Sequence, residues 1–180
     1  MSHLTPPLGP RDHTQGPPGA LVTLVEYGDF ECPHCGAAYP VVKAIQQAMG
    51  SKLLFAYRHF PLSRVHPHAE HAGEMAEAVG EHGKFWGMHD LLFEHQDALE
   101  DDQLIAYAKT LGIEPEWAAD ALAEGHYEPR VRADFASGVR SGVNGTPTFF
   151  INGLRYEGGA DALLDALMEA TIDAPLKSGG

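Results

Sequence analysis

Two apolar runs with a single helical pattern between them, "ALVTLVEYGDF" at 20–30 and "KLLFAYRHF" at 52–60, constrain this chain most. The first is β-branched and aliphatic and reads as a buried strand over about Leu21 to Tyr27, ended by Gly28 and Asp29. From Pro33 the apolar positions Ala38, Val41, Val42, Ile45 and Met49 recur at helical spacing, and Gly50 is a suitable stop. Pro40 falls inside this helix, where its missing N–H and its ring predict a kink and not a break. The second run closes at Pro61, so strand, helix and strand form one right-handed crossover unit.

Beyond this unit, from about Leu62 to Ser137, the texture changes to Ala, Glu and His. "HAEHAGEMAEAVGEH", "KFWGMHDLLFEH", "DDQLIAYAKTLG" and "PEWAADALAEG" all carry helical patterns and no strand signal. Phe85, Trp86, Met88, Leu91, Leu92 and Phe93 are spaced as helix core, although such a set could also line a groove. A further helix, "EPRVRADFASGVRSG", leads to "TPTFFINGLRYEGG", where Asn152-Gly153 between apolar runs signals a tight hairpin. "DALLDALMEATI" reads as a closing amphipathic helix, followed by a frayed "APLKSGG". The first twenty residues, rich in Pro and Gly, read as a flexible arm.

With 180 residues, 44% hydrophobic and 21% charged, the chain is long enough for a real core without cross-links. A formal charge of -13 and no Lys/Arg cluster speak against a nucleic-acid partner. No apolar run suggests membrane insertion or a leader, so a cytoplasmic location is expected, or a periplasmic or other extracytoplasmic one if a leader has been removed. In a reducing compartment a close cysteine pair is more often catalytic or metal-binding than structural.

The chain has two cysteines, Cys32 and Cys35, in "GDFECPHCGAAYP". With Cys32 at the helix N-cap and Pro33 in the first helical position, the Cys32 sulfur faces free N–H groups and the positive end of the helix dipole. Both stabilise a thiolate, which makes Cys32 an exposed nucleophile and Cys35, one turn in, the resolving thiol. The His34 ring adds a donor or a cation of the same sign, placing Cys32 in the lower half of the range of roughly 3.5 to 7.5 seen in such settings. A metal would need histidines to complete a tetrahedral set, and nothing fixes "HPHAEHA" at 66–72 near the pair. A structural disulfide across so short a loop would constrain the unfolded chain very little. No metal or other cofactor is expected beyond a redox-active Cys32–Cys35 disulfide.

Glu26 is an acid on the same strand face as Val22 and Leu24, costly to bury ionised. It either escapes to solvent near the strand end or carries a raised pKa and relays protons to Cys35. Glu31, next to Cys32, reads as a surface charge.

At "VEYGDFECPHC", "YRHFPL", "HPHAEHAGEMAEA", "KFWGMHDLLF" and "GVNGTPTFFING", in that order, the chain resembles the DsbA-like branch of the thioredoxin superfamily, thiol:disulfide oxidoreductases with a Cys-Pro-His-Cys site. The resemblance implies an α/β thioredoxin fold with an inserted all-helical subdomain, the fold domain spanning 21–61 and 138–180 and the insertion 62–137. It implies exchange at Cys32 and Cys35, tuning of the potential by His34, a cis Pro147 packed against the pair, and a proton-relay role for Glu26. Substrate peptide would lie along Thr146 and Pro33, pairing with the Thr146 backbone. Protein thiols and disulfides would be the substrates, with a separate redox partner for recycling. The alternatives are a non-catalytic binding or metal-handling module on a similar fold, and a glutathione-dependent isomerase-like enzyme, a class that typically lacks the second cysteine.

Overall fold

A computed structural model describes residues 1–174. In chain order the elements are β1 (His13–Gln15), β2 (Val22–Gly28), α1 (Pro33–Met49), β3 (Leu53–His59), α2 (Ala69–Gly80), α3 (Phe85–Glu94), α4 (Asp101–Thr110), α5 (Pro115–Ala123), α6 (Glu128–Arg140), β4 (Thr148–Ile151), β5 (Leu154–Tyr156) and α7 (Leu163–Asp173). The strands form one mixed sheet in the order β1-β3-β2-β4-β5. Among the described residues this is the α/β thioredoxin-like architecture that the resemblance implies, a mixed sheet with seven helices.

The two apolar runs become the parallel pair β2 and β3, with Val22 opposite Leu53 and Gly28 opposite His59. Both are buried at all but their second residue, as central strands covered on both faces must be. The connecting α1 turns Cys35, Ala38, Val42, Ile45 and Met49 inward, and it runs through Pro40 without a break in assignment. It stops at Gly50, whose φ of 52° is a left-handed value that glycine adopts at little cost. Asn152 and Gly153, with φ of 50° and 79°, form the turn between β4 and β5 in the positive-φ geometry that tight hairpins require.

Helices α2 to α6 follow β3, and α2 is their hub, buried at nine of its twelve residues and packed against α3, α4, α5 and α6. Of the α3 aromatic stretch, Phe85, Met88, Leu92 and Phe93 are buried, and Trp86 and Leu91 partly so. The core lies on the two sides of the sheet. One cluster joins Leu24, Phe55 and Tyr57 to α1 and the helical block, and a smaller one joins Val25, Tyr27, Phe60 and Phe150.

The first twenty residues are not a free arm. Residues 13–15 add β1 antiparallel to β3, and Leu4 is buried, with its N–H donating to the Gly153 carbonyl at 2.8 Å. The physical reason is Arg58 on β3, a buried guanidinium that needs a counter-charge and acceptors. The arm supplies both: Asp12 accepts from Arg58 at 2.7 and 3.0 Å, and the Pro6 and Pro7 carbonyls accept from the same group. No helix among the described residues is long and apolar enough to cross a membrane. The expected frayed tail lies, from Pro175 onward, outside the described residues.

Candidate active site

The end of β2 delivers the chain to the start of α1, and the cysteines sit at that junction. Cys32 is the N-cap residue, with extended φ and ψ of -71° and 123°, and Pro33 occupies the first turn. The first helical bond runs from the Gly36 N–H to the Cys32 carbonyl at 3.0 Å. No disulfide joins the two sulfurs in this structure.

Contrary to the exposed nucleophile that the helix N-cap predicts, only 4% of Cys32 is accessible. The loop before β4 accounts for this, because the Cys32 Sγ lies 3.7 Å from the Thr146 carbonyl oxygen. The Thr146–Pro147 peptide bond is cis, and both residues are half-buried. The Cys32 pKa is lowered to about 5: a hydrogen bond from the Cys35 thiol does most, burial opposes it, and Thr146 and the backbone N–H groups of Cys35 and His34 add to the lowering. The His34 contribution to this lowering comes from its backbone N–H, and its side chain is exposed.

Cys35 is fully buried. Burial pushes its thiol far up, and the Cys32 sulfur it bonds to and the Glu26 carboxylate push the same way. The Asp29 N–H, 3.5 Å from the Cys35 Sγ, opposes them. The pair is thus a thiolate in front and a protonated thiol behind.

Glu26 does not escape to solvent. It is 2% exposed, placed between Tyr57 of β3 and Phe149 of β4, and its Oε1 has no hydrogen-bond partner. Burial first, and the Cys32 thiolate second, raise it to about 8, so it is mostly a neutral carboxyl at pH 7. The Tyr57 hydroxyl nearby is likewise buried without a partner. Gly28 leaves the room this packing needs, since a Cβ there would stand 2.5 Å from the Tyr57 ring.

Sequence reasoning missed two residues that seat the cysteine loop. Asp29 accepts the Glu31 and Cys32 N–H groups on Oδ1 at 2.8 and 3.2 Å, and the Leu62 N–H and His66 Nδ1 on Oδ2 at 2.8 Å each. Its local half is an Asx turn, readable from an Asp three residues before a helix cap; its other half comes from a segment more than thirty residues on. Gln96, just after α3, donates to the Phe30 and Cys32 carbonyls at 2.8 and 2.9 Å, and nothing in its sequence context marks it. Glu31 is more than a surface charge, because its Oε2 accepts the His68 N–H at 2.7 Å.

Contrary to the expectation that nothing fixes the 66–72 segment near the pair, His66 and the His68 N–H are tied to the cysteine loop through Asp29 and Glu31. Among the described residues, the group with ligand-like spacing is His59, Glu77 and Asp134. Its donors already serve one another: Glu77 bonds His59 and His13, and Asp134 accepts from the His59 N–H and from Arg130.

The family model described as Thioredoxin matches residues 9–174. The chain is 44% identical over 172 residues to the Na(+)/H(+) antiporter NhaA 3 of Salinispora tropica, a match covering 94% of this chain and 26% of that protein. It spans about a quarter of the length of the curated relatives it matches. Among solved structures, alpha-DsbA1 of Wolbachia pipientis is similar at a TM-score of 0.81 and 20% identity, covering 96% of each chain. MdbA, a thiol-disulfide oxidoreductase from Corynebacterium diphtheriae, is similar at a TM-score of 0.69 and 20% identity, covering 85% of each. At these identities the likeness is one of fold.

Proposed function

This chain belongs to the thioredoxin family, and from that premise we propose that it exchanges disulfides with protein thiols through Cys32 and Cys35, acting as a disulfide donor. The observation that carries the reading is the division of labour between the sulfurs, with Cys32 lowered to about 5 and Cys35 kept protonated behind it. Whatever stabilises the Cys32 thiolate stabilises the reduced protein, and so makes its disulfide the stronger oxidant. The redox group is the cysteine pair itself.

In the proposed reaction a substrate thiolate attacks Cys32 Sγ of the Cys32–Cys35 disulfide. The S–S bond breaks, a mixed disulfide forms on Cys32, and Cys35 leaves as a thiolate that takes up a proton. A carboxyl with a pKa of about 8 at Glu26 suits that delivery. A second substrate thiolate then attacks the substrate sulfur of the mixed disulfide, and Cys32 leaves as the stable thiolate. The substrate loses two electrons and two protons; one proton ends on Cys35 and the other in solvent. Thr146, whose carbonyl lies against Cys32, is where an extended substrate backbone would pair, with Pro33 beside it. A separate oxidant must regenerate the disulfide. The antiporter activity in the names of the longer relatives belongs to proteins of which this chain matches about a quarter, and the proposal is confined to the cysteine pair.

The test is the reduction potential against a glutathione buffer. A value above the glutathione couple is expected of a donor; a value well below it, as for a thioredoxin-type reductant at about -270 mV, would reverse the direction.

A further inference from the structure

Asp29 serves more than its own turn. One oxygen seats the Cys32 N–H, and the other is 2.8 Å from His66 Nδ1, with Asp29 wholly buried and His66 19% exposed. His66 belongs to the segment after β3, and two further bonds clamp that segment onto the cysteine loop: Leu62 N–H to Asp29 and His68 N–H to Glu31. The charged groups facing His66 are Asp29, the Cys32 thiolate and Glu31, all negative. Burial pulls the imidazole down, and these three, Asp29 foremost, lift it above the ordinary histidine value.

We propose that His66 is a positioning residue of the exchange reaction: its imidazolium, held on Asp29, keeps that carboxylate against the Cys32 backbone and offsets the charge of the Cys32 thiolate. The inference rests on reading Cys32 and Cys35 as an exchanging pair. The two contributions are separable, because a neutral ring can still donate from Nδ1 whereas only the imidazolium carries charge. His66→Asn keeps an N–H donor near the Nδ1 position and removes the charge; His66→Ala removes both.

The experiment is the rate of iodoacetamide alkylation of Cys32 in the reduced protein as a function of pH, for the wild type and both variants, with urea unfolding run beside it. In His66→Asn the alkylation midpoint is expected to move up by about half a pH unit. That is roughly twofold less thiolate at pH 5, from a roughly threefold change in the ionisation constant, on the order of what one unit charge supplies in a near-surface setting. Its urea midpoint should stay with the wild type's, because the donor is kept. In His66→Ala the alkylation shift should be larger and the fold less stable. An unshifted His66→Asn profile, with the wild type still depressed, would overturn the role of His66 and leave the exchange reading standing. A wild-type midpoint at the ordinary cysteine value would defeat the exchange reading, and the role of His66 with it.

Discussion

Asp29 and Glu26 stand three residues apart beside the same cysteine pair, and each is at most 2% exposed, yet their surroundings are opposite. Asp29 faces the front of the site, where four donors fill its oxygens. Glu26 faces the back, between sheet neighbours, with one oxygen unpartnered and a proton held to about pH 8. Burial among donors and burial without them are different settings for a carboxyl, and only the second raises Glu26. The front of the site is built to hold negative charge at Cys32, and the back to hold protons at Cys35 and Glu26.

The largest break in that contrast should come from Asp29→Ala, which strands several N–H groups at once. We expect a loss of about 3 to 5 kcal/mol in urea unfolding; a loss under about 1 kcal/mol would show that the donors find other partners.

Glu26 should behave in the opposite sense. Its folded pKa of about 8 lies above the ordinary 4.5, so between those values the folded state binds more protons and stability falls as pH rises. Cys32, lowered from 9 to about 5, works the other way in the reduced protein, so the Glu26 contribution, on the order of 4 kcal/mol, is read as the difference in pH dependence between wild type and Glu26→Gln. Oxidation sharpens the contrast, since removing the Cys32 thiolate removes its share of the Glu26 shift and should shrink the difference between wild type and Glu26→Gln. Equal pH dependence in wild type and Glu26→Gln would place the titration elsewhere.

Gln96→Ala, which frees the Phe30 and Cys32 carbonyls at the front, should cost about 1 to 2 kcal/mol in the same measurement. The smallest effect is expected at the back. The buried Tyr57 hydroxyl has no partner to lose, so Tyr57→Phe should change stability by less than about 0.5 kcal/mol or raise it.

What the sequence made legible follows the same division between local and distant causes. The crossover unit, the Cys32 cap followed by Pro33 and the Asn152-Gly153 turn depend on neighbouring residues, and their signals lie in adjacent letters. The edge strand at His13–Gln15 did not show, because it is held by Asp12 pairing with Arg58, forty-six positions away. The fate of Glu26 was undecidable for a similar reason: whether an acid on a strand reaches solvent depends on what covers both faces, here Tyr57 and Phe149 as strand neighbours. The cover of Cys32 leaves no local signal either, because Thr146 arrives from 114 residues downstream.

The central claim is that the front sulfur is ionised while the back one is not. Titrating thiolate absorbance near 240 nm in the reduced wild type tests it directly. One thiolate should appear with an apparent pKa near 5 and the second should stay protonated through neutral pH. Two thiols that both ionise near 9, the ordinary cysteine value, would contradict it.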